Sequence, residues 1–152
     1  MTFEYTTDAA LIRSIVTHPK IWPHVGDDFT VAREYWQPGF EGPTLLYLVP
    51  KDGAEVLGVW LFEIRGACWE IHTSFLPEAW GSRARQASEE MLAWLWSHTA
   101  CRRLITNVPT YNRRALRFAE RAGLTQFGVN ERAYLKDGTL YDLILLGISK
   151  PD

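Results

Sequence analysis

Glu70, His72 and Ser74 stand two residues apart in the run Cys68–His98, CWEIHTSFLPEAWGSRARQASEEMLAWLWSH. That spacing puts three side chains on one face of a strand. A carboxylate next to an imidazole is a proton-handling pair, and His72 has the intrinsic pKa of a base near neutrality. The bland alternative is a hydrogen-bonded structural histidine. A second chemistry begins a few residues on. Pro77 closes the strand, because proline cannot donate to a ladder. Glu78 to Ser82 forms a short turn holding Gly81. From Arg83 the pattern is helical: Ala84, Ala87, Met91, Trp94, Leu95 and His98 share a face at three- and four-residue spacing. A strand, a tight turn and a helix start aim unpaired N–H groups and partial positive charge at one point, which suits a phosphate.

The elements that must position these groups follow from the same patterns. Arg103 to Val108 reads as a second strand, Pro109 and Thr110 as a turn, and Asn112 as the N-cap of a helix over Arg113–Ala122. Ala115, Phe118, Ala119 and Ala122 give that helix its apolar face, and Gly123 suits a C-terminal cap. Two strand–turn–helix units in series leave two parallel strands free to splay. Upstream, Thr2–Thr6 suits an edge strand. Asp8 caps a helix from Ala9 to about Thr17, with Leu11, Ile12, Ile15 and Val16 inward. Ile21 to Gly42 is less regular, with a short helix at Val31–Trp36 and a loop through Pro38, Gly39, Gly42 and Pro43. Its aromatic and acidic residues fit a substrate-facing wall and a surface cap equally. Strands at Leu45–Val49 and Val56–Ile64 flank a Lys51-Asp52-Gly53 turn. Strands at Leu124–Leu135 and Thr139–Ile148 flank Lys136-Asp137-Gly138. The order is β-α-α-βββ-α-β-α-ββ, a mixed α/β (α+β) arrangement with a mostly antiparallel sheet. The last strand is so apolar, from Leu143 to Ile148, that something must cover it.

The chain of 152 residues suggests a single domain, 1–152, with 47% hydrophobic and 22% charged residues. A formal net charge of −2 gives no global case for nucleic acid or an anionic membrane. Arg102, Arg103, Arg113, Arg114, Arg117 and Arg121 cluster, as either a solvated helix face or a site for a phosphorylated ligand. Cys68 and Cys101 form neither a metal pattern nor a disulfide framework. The histidines have no metal-ligand spacing, so no metal is expected. With no apolar run long enough for a bilayer, a cytoplasmic location is the default.

The element order, with NxxAxxxFxxxGL from Asn112 to Leu124, resembles the GNAT superfamily of N-acetyltransferases. The last third, TNVPTYNRRALRFAERAGLTQFG to YDLILLGISK, carries most of the likeness. The Trp-rich short form is also similar to GNAT-like proteins of tailed phages, which would place it in a host cytoplasm. The resemblance implies a six- to seven-stranded sheet flanked by about four helices and splayed between its fourth and fifth strands. It implies acetyl-CoA as co-substrate in that splay. Ser74, Phe75 and Leu76 would lie beside pantetheine, and the loop Gly81, Ser82, Arg83, Ala84 and Arg85 would hold pyrophosphate. Asn112, Ala115 and Phe118 would meet the cofactor from the second unit. Glu70 or His72 would activate an amine of a small molecule or protein, directly or through water. Asp27, Asp28, Glu34 and Glu41 would attract a cationic amine or be ordinary surface acids. A homodimer is compatible with the family.

Four residues depart from the family pattern. Trp80 and the arginines Arg83 and Arg85 replace the loop's usual polar and small residues, so the arginines either contact phosphate or block the loop. Phe118 falls where the family's thiol-protonating tyrosine stands, and a phenyl ring cannot donate that proton. Tyr111 and Tyr134 are conceivable substitutes. These departures leave open a catalytically inactive GNAT-like structural or interaction protein, or a CoA-binding non-enzyme.

Overall fold

The computed structural model describes residues 1–152, the side chain of Pro43 excepted. Eight strands and three α-helices run in the order β1 (Thr2–Tyr5), α1 (Ala9–Val16), β2 (Leu45–Asp52), β3 (Glu55–Val56), β4 (Gly58–Arg65), β5 (Cys68–Phe75), α2 (Ser82–His98), β6 (Arg103–Pro109), α3 (Arg113–Arg121), β7 (Thr125–Lys136) and β8 (Thr139–Ser149). All strands join one sheet in the order β1-β2-β4-β5-β6-β8-β7, with the two-residue β3 paired to β2. The mixed, mostly antiparallel architecture is the expected one.

The counts differ from expectation, and each difference has a local cause. The single strand expected over Val56–Ile64 is broken at Leu57, whose N–H donates to the Pro50 carbonyl at 3.0 Å, outside the β4 ladder. This break yields the extra strand. The helix expected at Val31–Trp36 is one 3-10 turn, Arg33–Tyr35. The Arg13 guanidinium bonds the carbonyls of Arg33 and Trp36, both at 3.1 Å, which ties the segment to α1. Pro38 disfavours helical backbone at the residue before it. The apolar last strand is not an edge, because β8 lies between β6 and β7 and is covered on both sides.

Apolar burial divides by face. Trp60, Phe62, Ile71, Phe75 and Leu104 share a core cluster with Met91 and Leu95 of α2. Ile12, Ile15, Val16, Tyr47, Val49 and Val59 form the core under α1 on the opposite face. Val108, Ala119, Leu124 and Leu146 join α3 to the last strands. Parallel pairing of β5 with β6 is confined to Cys68↔Arg103, Trp69↔Leu104 and Glu70↔Ile105. Beyond Glu70 the strands diverge, at the junction expected to splay. The Thr106 hydroxyl donates to the Ile71 carbonyl at 3.2 Å where the ladder ends.

Candidate active site

A cavity of about 760 Å³ follows the divergence of β5 and β6. At one end lies the start of α2. Gly81, with φ +94°, precedes the helix in a backbone conformation that favours glycine. It brings no capping side chain, and the first helical bond there is Arg85 N–H to the Gly81 carbonyl at 3.1 Å. The N–H groups of Ser82, Arg83 and Ala84 therefore have no partner within the helix and suit an anion.

The two loop arginines point elsewhere. Arg83 pairs with Glu55 and lies 3.5 Å from Asp52 on the β2–β3 turn. Arg85 pairs with Glu89 one turn along α2 at 3.2 Å. Neither lines the cavity; Arg114 of α3 does, with its guanidinium 5.6 Å from the Trp80 ring centroid. The Trp80 indole donates to the Phe75 carbonyl at 2.7 Å, at the end of β5. Of the arginine cluster in the sequence, Arg114 is the member that reaches the cavity.

Opposite the loop, the Asn112 side chain accepts the Ala115 N–H at 3.2 Å and caps α3 as expected. Asn112, Ala115 and Phe118 all line the cavity. The Phe118 ring meets Phe75 edge-on at 6.1 Å. Ser88, on the cavity side of α2, is buried, and its hydroxyl has no hydrogen-bond partner. A buried unpaired hydroxyl costs free energy, so a polar occupant of the cavity would be stabilised there.

The proton-handling cluster lies on the α1 face. Antiparallel register sets Glu63 of β4 across from Glu70. The His72 Nε2 is 2.7 Å from Glu63 and 3.1 Å from Glu70. Asn107 of β6 donates to the other Glu70 oxygen at 3.2 Å, and Arg65 lies 3.8 Å from Glu70. The His72 hydrogen bond, opposed by burial and helped by Glu63 and Arg65, pulls Glu70 down to about 2. Burial pushes His72 down, but its bonds to Glu70 and Glu63 outweigh that and raise it above an ordinary imidazole. Glu70 is thus a fixed anion and a poor proton acceptor. His72 and Glu63 line the cavity, with Glu70 behind them.

Among the expected site residues, His72, Ser74, Phe75, Gly81, Ala84, Asn112, Ala115 and Phe118 converge on the cavity. Ser82, Arg83 and Arg85 do not line it, and Leu76 bonds back to the Leu57 carbonyl and packs under α1. Tyr111 and Tyr134 lie outside the lining. The Tyr134 hydroxyl donates to the Gly26 carbonyl, and burial raises its pKa. Asp28 caps the β7–β8 turn through the N–H groups of Asp137 and Gly138, and Asp27 accepts the Phe29 N–H.

Sequence reasoning missed Glu63, Ser88, Thr106 and Asn107, and named Arg114 only as one of a cluster of arginines. Glu63 carried a signal, since it and Glu70 are symmetric about the Gly66–Ala67 turn. Metal-type ligand atoms of Glu63, Glu70 and His72 also come within 4.8 Å of one another, a grouping that spacing along one strand does not reveal.

A family model described as an acetyltransferase (GNAT) domain matches residues 1–125. No curated protein matches the chain significantly. Among solved structures, the spermidine N-acetyltransferase of Vibrio cholerae in complex with CoA and spermine superposes with a TM-score of 0.79 at 13% identity, over 97% of this chain and 94% of that one. A GNAT-family acetyltransferase from Bacillus anthracis superposes with a TM-score of 0.59 at 16% identity, over 70% and 66%. At such identities the likeness is one of fold.

Proposed function

The chain belongs to the GNAT acetyltransferase family, and from that premise we propose that residues 1–152 form one acetyl-CoA-dependent N-acetyltransferase unit acting on an amine. The observation that carries this reading is the continuity of the cavity. One space reaches from Gly81 and Arg114 at the start of α2, past Ser74 and Phe75, to His72 and Glu63. An anion site, a strand edge and a proton acceptor are what such a transfer needs. Acetyl-CoA supplies the acetyl group as a thioester, whose C–S bond breaks as the amine's C–N bond forms, the leaving thiolate taking a proton from water.

The N–H groups of Ser82 to Ala84, with Arg114, hold the pyrophosphate in this reading. Arg114 stands in for the positive charge that Arg83 and Arg85 direct to other carboxylates. Ser74 and Phe75 run beside pantetheine, and the Ser88 hydroxyl offers it a buried polar contact. Asn112 keeps α3 in register with the cleft. His72 receives the proton from the attacking amine, and Glu63 and Glu70 stabilise the imidazolium that results. The cytoplasm is the compartment implied. Among the described residues no helix is long and apolar enough to cross a membrane.

Two observations favour a second reading, a GNAT-like protein without catalysis. The Trp80 indole holds the Phe75 carbonyl that a bound pantetheine arm would meet, and Phe118 offers no acidic hydroxyl. Calorimetric titration of acetyl-CoA into wild type, Asn112→Ala and Arg114→Ala separates the two. Saturable binding, weakened in both variants, followed by thiol release with an amine panel supports the enzyme. A folded protein that ignores millimolar acetyl-CoA leaves the non-catalytic account.

A further inference from the structure

The acceptor end of the cavity differs in character from the cofactor end. On the α1 face of the sheet, Tyr47 pairs across with Leu61, and Leu61 with His72. The proton acceptor therefore sits beside an apolar floor of Tyr47, Val59 and Leu61. Val16, Ile21 and Trp36 line the cavity above it. This wall is preorganised. The Arg13 guanidinium donates to the Trp36 carbonyl at 3.1 Å, and Arg33 donates to the Thr17 carbonyl at 2.7 Å. The Trp36 ring is further braced edge-on by Trp22, with centroids 6.5 Å apart.

Charge at this end is sparse and mixed. Among the described residues the one carboxylate lining the cavity is Glu63, with Glu70 behind it, while Lys20 and His24 also line it. Asp27, Asp28, Glu34 and Glu41 lie outside the lining, the first two engaged by backbone N–H groups. A linear polycation needs a carboxylate for each ammonium group it desolvates. Here one ammonium finds Glu63, and the next meets apolar surface or another cation. An aromatic ring or branched chain on the same amine meets Trp36, Tyr47 and Leu61 and leaves water.

We propose that the acceptor is a primary monoamine carried on an aromatic or branched apolar body, and not a polyamine. The ammonium docks on Glu63, loses a proton to His72 and attacks as the free amine; as the C–N bond forms, the nitrogen passes its second proton through water to the departing thiolate, while the body lies on the wall formed by Tyr47, Leu61 and Trp36. This assignment rests on the acetyltransferase reading and narrows it.

The test measures kcat/KM by thiol release from acetyl-CoA with 2-phenylethylamine, 3-methylbutylamine, methylamine and spermidine, using the full chain. Alongside it, acetyl-CoA binding is followed by calorimetry, as is binding of each amine to the CoA-saturated protein. The expected result is at least a tenfold preference for the two amines with apolar bodies over methylamine and spermidine. Trp36→Ala is expected to remove most of that preference by raising KM for the two amines with apolar bodies. Spermidine equal to or better than 2-phenylethylamine overturns the proposal and leaves the acetyltransferase standing. If acetyl-CoA binds but no amine is turned over, selective binding of 2-phenylethylamine supports the proposed site and overturns the transfer reading. Unselective or absent amine binding overturns the proposal. Absence of acetyl-CoA binding overturns both.

Discussion

At the scale of single residues, the three groups Glu63, Glu70 and His72 share their charge unequally. Glu70 is the anchored anion, held at about 2 by His72, Glu63 and Arg65. His72 carries the exchangeable proton, with its pKa raised. In the proposed transfer His72 is the base, and a base works only when deprotonated, so kcat/KM should rise with pH through a value above that of ordinary imidazole. Glu63→Gln removes one of the two carboxylates that hold the proton on His72. Its acid limb should move to lower pH, and His72→Gln should lose about 10²- to 10⁴-fold in rate. A limb that stays in place in Glu63→Gln means another group titrates. Glu70 makes a separate prediction about stability. Its folded pKa is depressed, so its contribution is complete above the ordinary carboxylate range and is lost as pH falls toward about 2. The contribution is on the order of 2 to 3 kcal/mol at neutral pH. Chemical denaturation of wild type and Glu70→Gln between neutral and acid pH should show the difference shrinking on acidification. Little change with pH would show that the ion cluster does not hold the strands. The residues of this cluster were partly legible. Glu70 and His72 alternate on one strand, and that period is local. Glu63 and Asn107 arrive from neighbouring strands, and the destinations of Arg83 and Arg114 depend on side-chain partners, which spacing does not reveal.

At the scale of elements, local signals performed well wherever one residue decides the geometry. Asp8 and Asn112 each accept the N–H three residues on, as capping requires. The α2 start follows Gly81, and the turns at Gly53 and Gly138 close hairpins. The break at Leu57 was not legible, because it arises from how β4 meets its neighbours. Gly58 shows the constraint. A Cβ there would strike the Ser74 carbonyl and lie 2.8 Å from the Phe75 Cα, both backbone positions of β5. The close approach of β4 to β5 thus needs a residue without a side chain, directly across from the end of the strand that borders the cavity. Gly58→Ala must push the two strands apart or distort them. A loss of about 1 to 3 kcal/mol is expected from such overpacking. Thermal unfolding of Gly58→Ala measures it, and a melting temperature equal to wild type would mean that β4 and β5 separate without cost. Weakened acetyl-CoA binding should accompany the loss, since Ser74 and Phe75 are the displaced residues.

At the scale of the whole molecule, the sheet is two ladders joined by a narrow seam. One ladder runs β1-β2-β4-β5 and the other β6-β8-β7, and the seam between them is three residue pairs of parallel strand. Two further contacts help it: the Thr106 hydroxyl on Ile71 and the Asn107 amide on Glu70. Beyond them Trp80 and Arg114 approach across the gap from the two sides. A ligand seated in the gap would touch both ladders and act as a brace between them. Anything that binds the native state alone also stabilises it by mass action, about 2.7 kcal/mol at a hundred times the dissociation constant. Acetyl-CoA should therefore raise the melting temperature, and its effect on amide exchange should be uneven. Protection is expected to rise most in Ile71–Phe75, Gly81–Arg85 and Thr106–Asn112, which border the gap. The long β7–β8 hairpin, paired from Thr125↔Gly147 to Lys136↔Thr139, should change little. Arg114→Ala should reduce both the melting shift and the protection at Gly81–Arg85 while the apo exchange pattern stays as in wild type. Uniform protection over the whole sheet would instead mean that the ladders already move as one body, and that the ligand adds stability without bracing the seam.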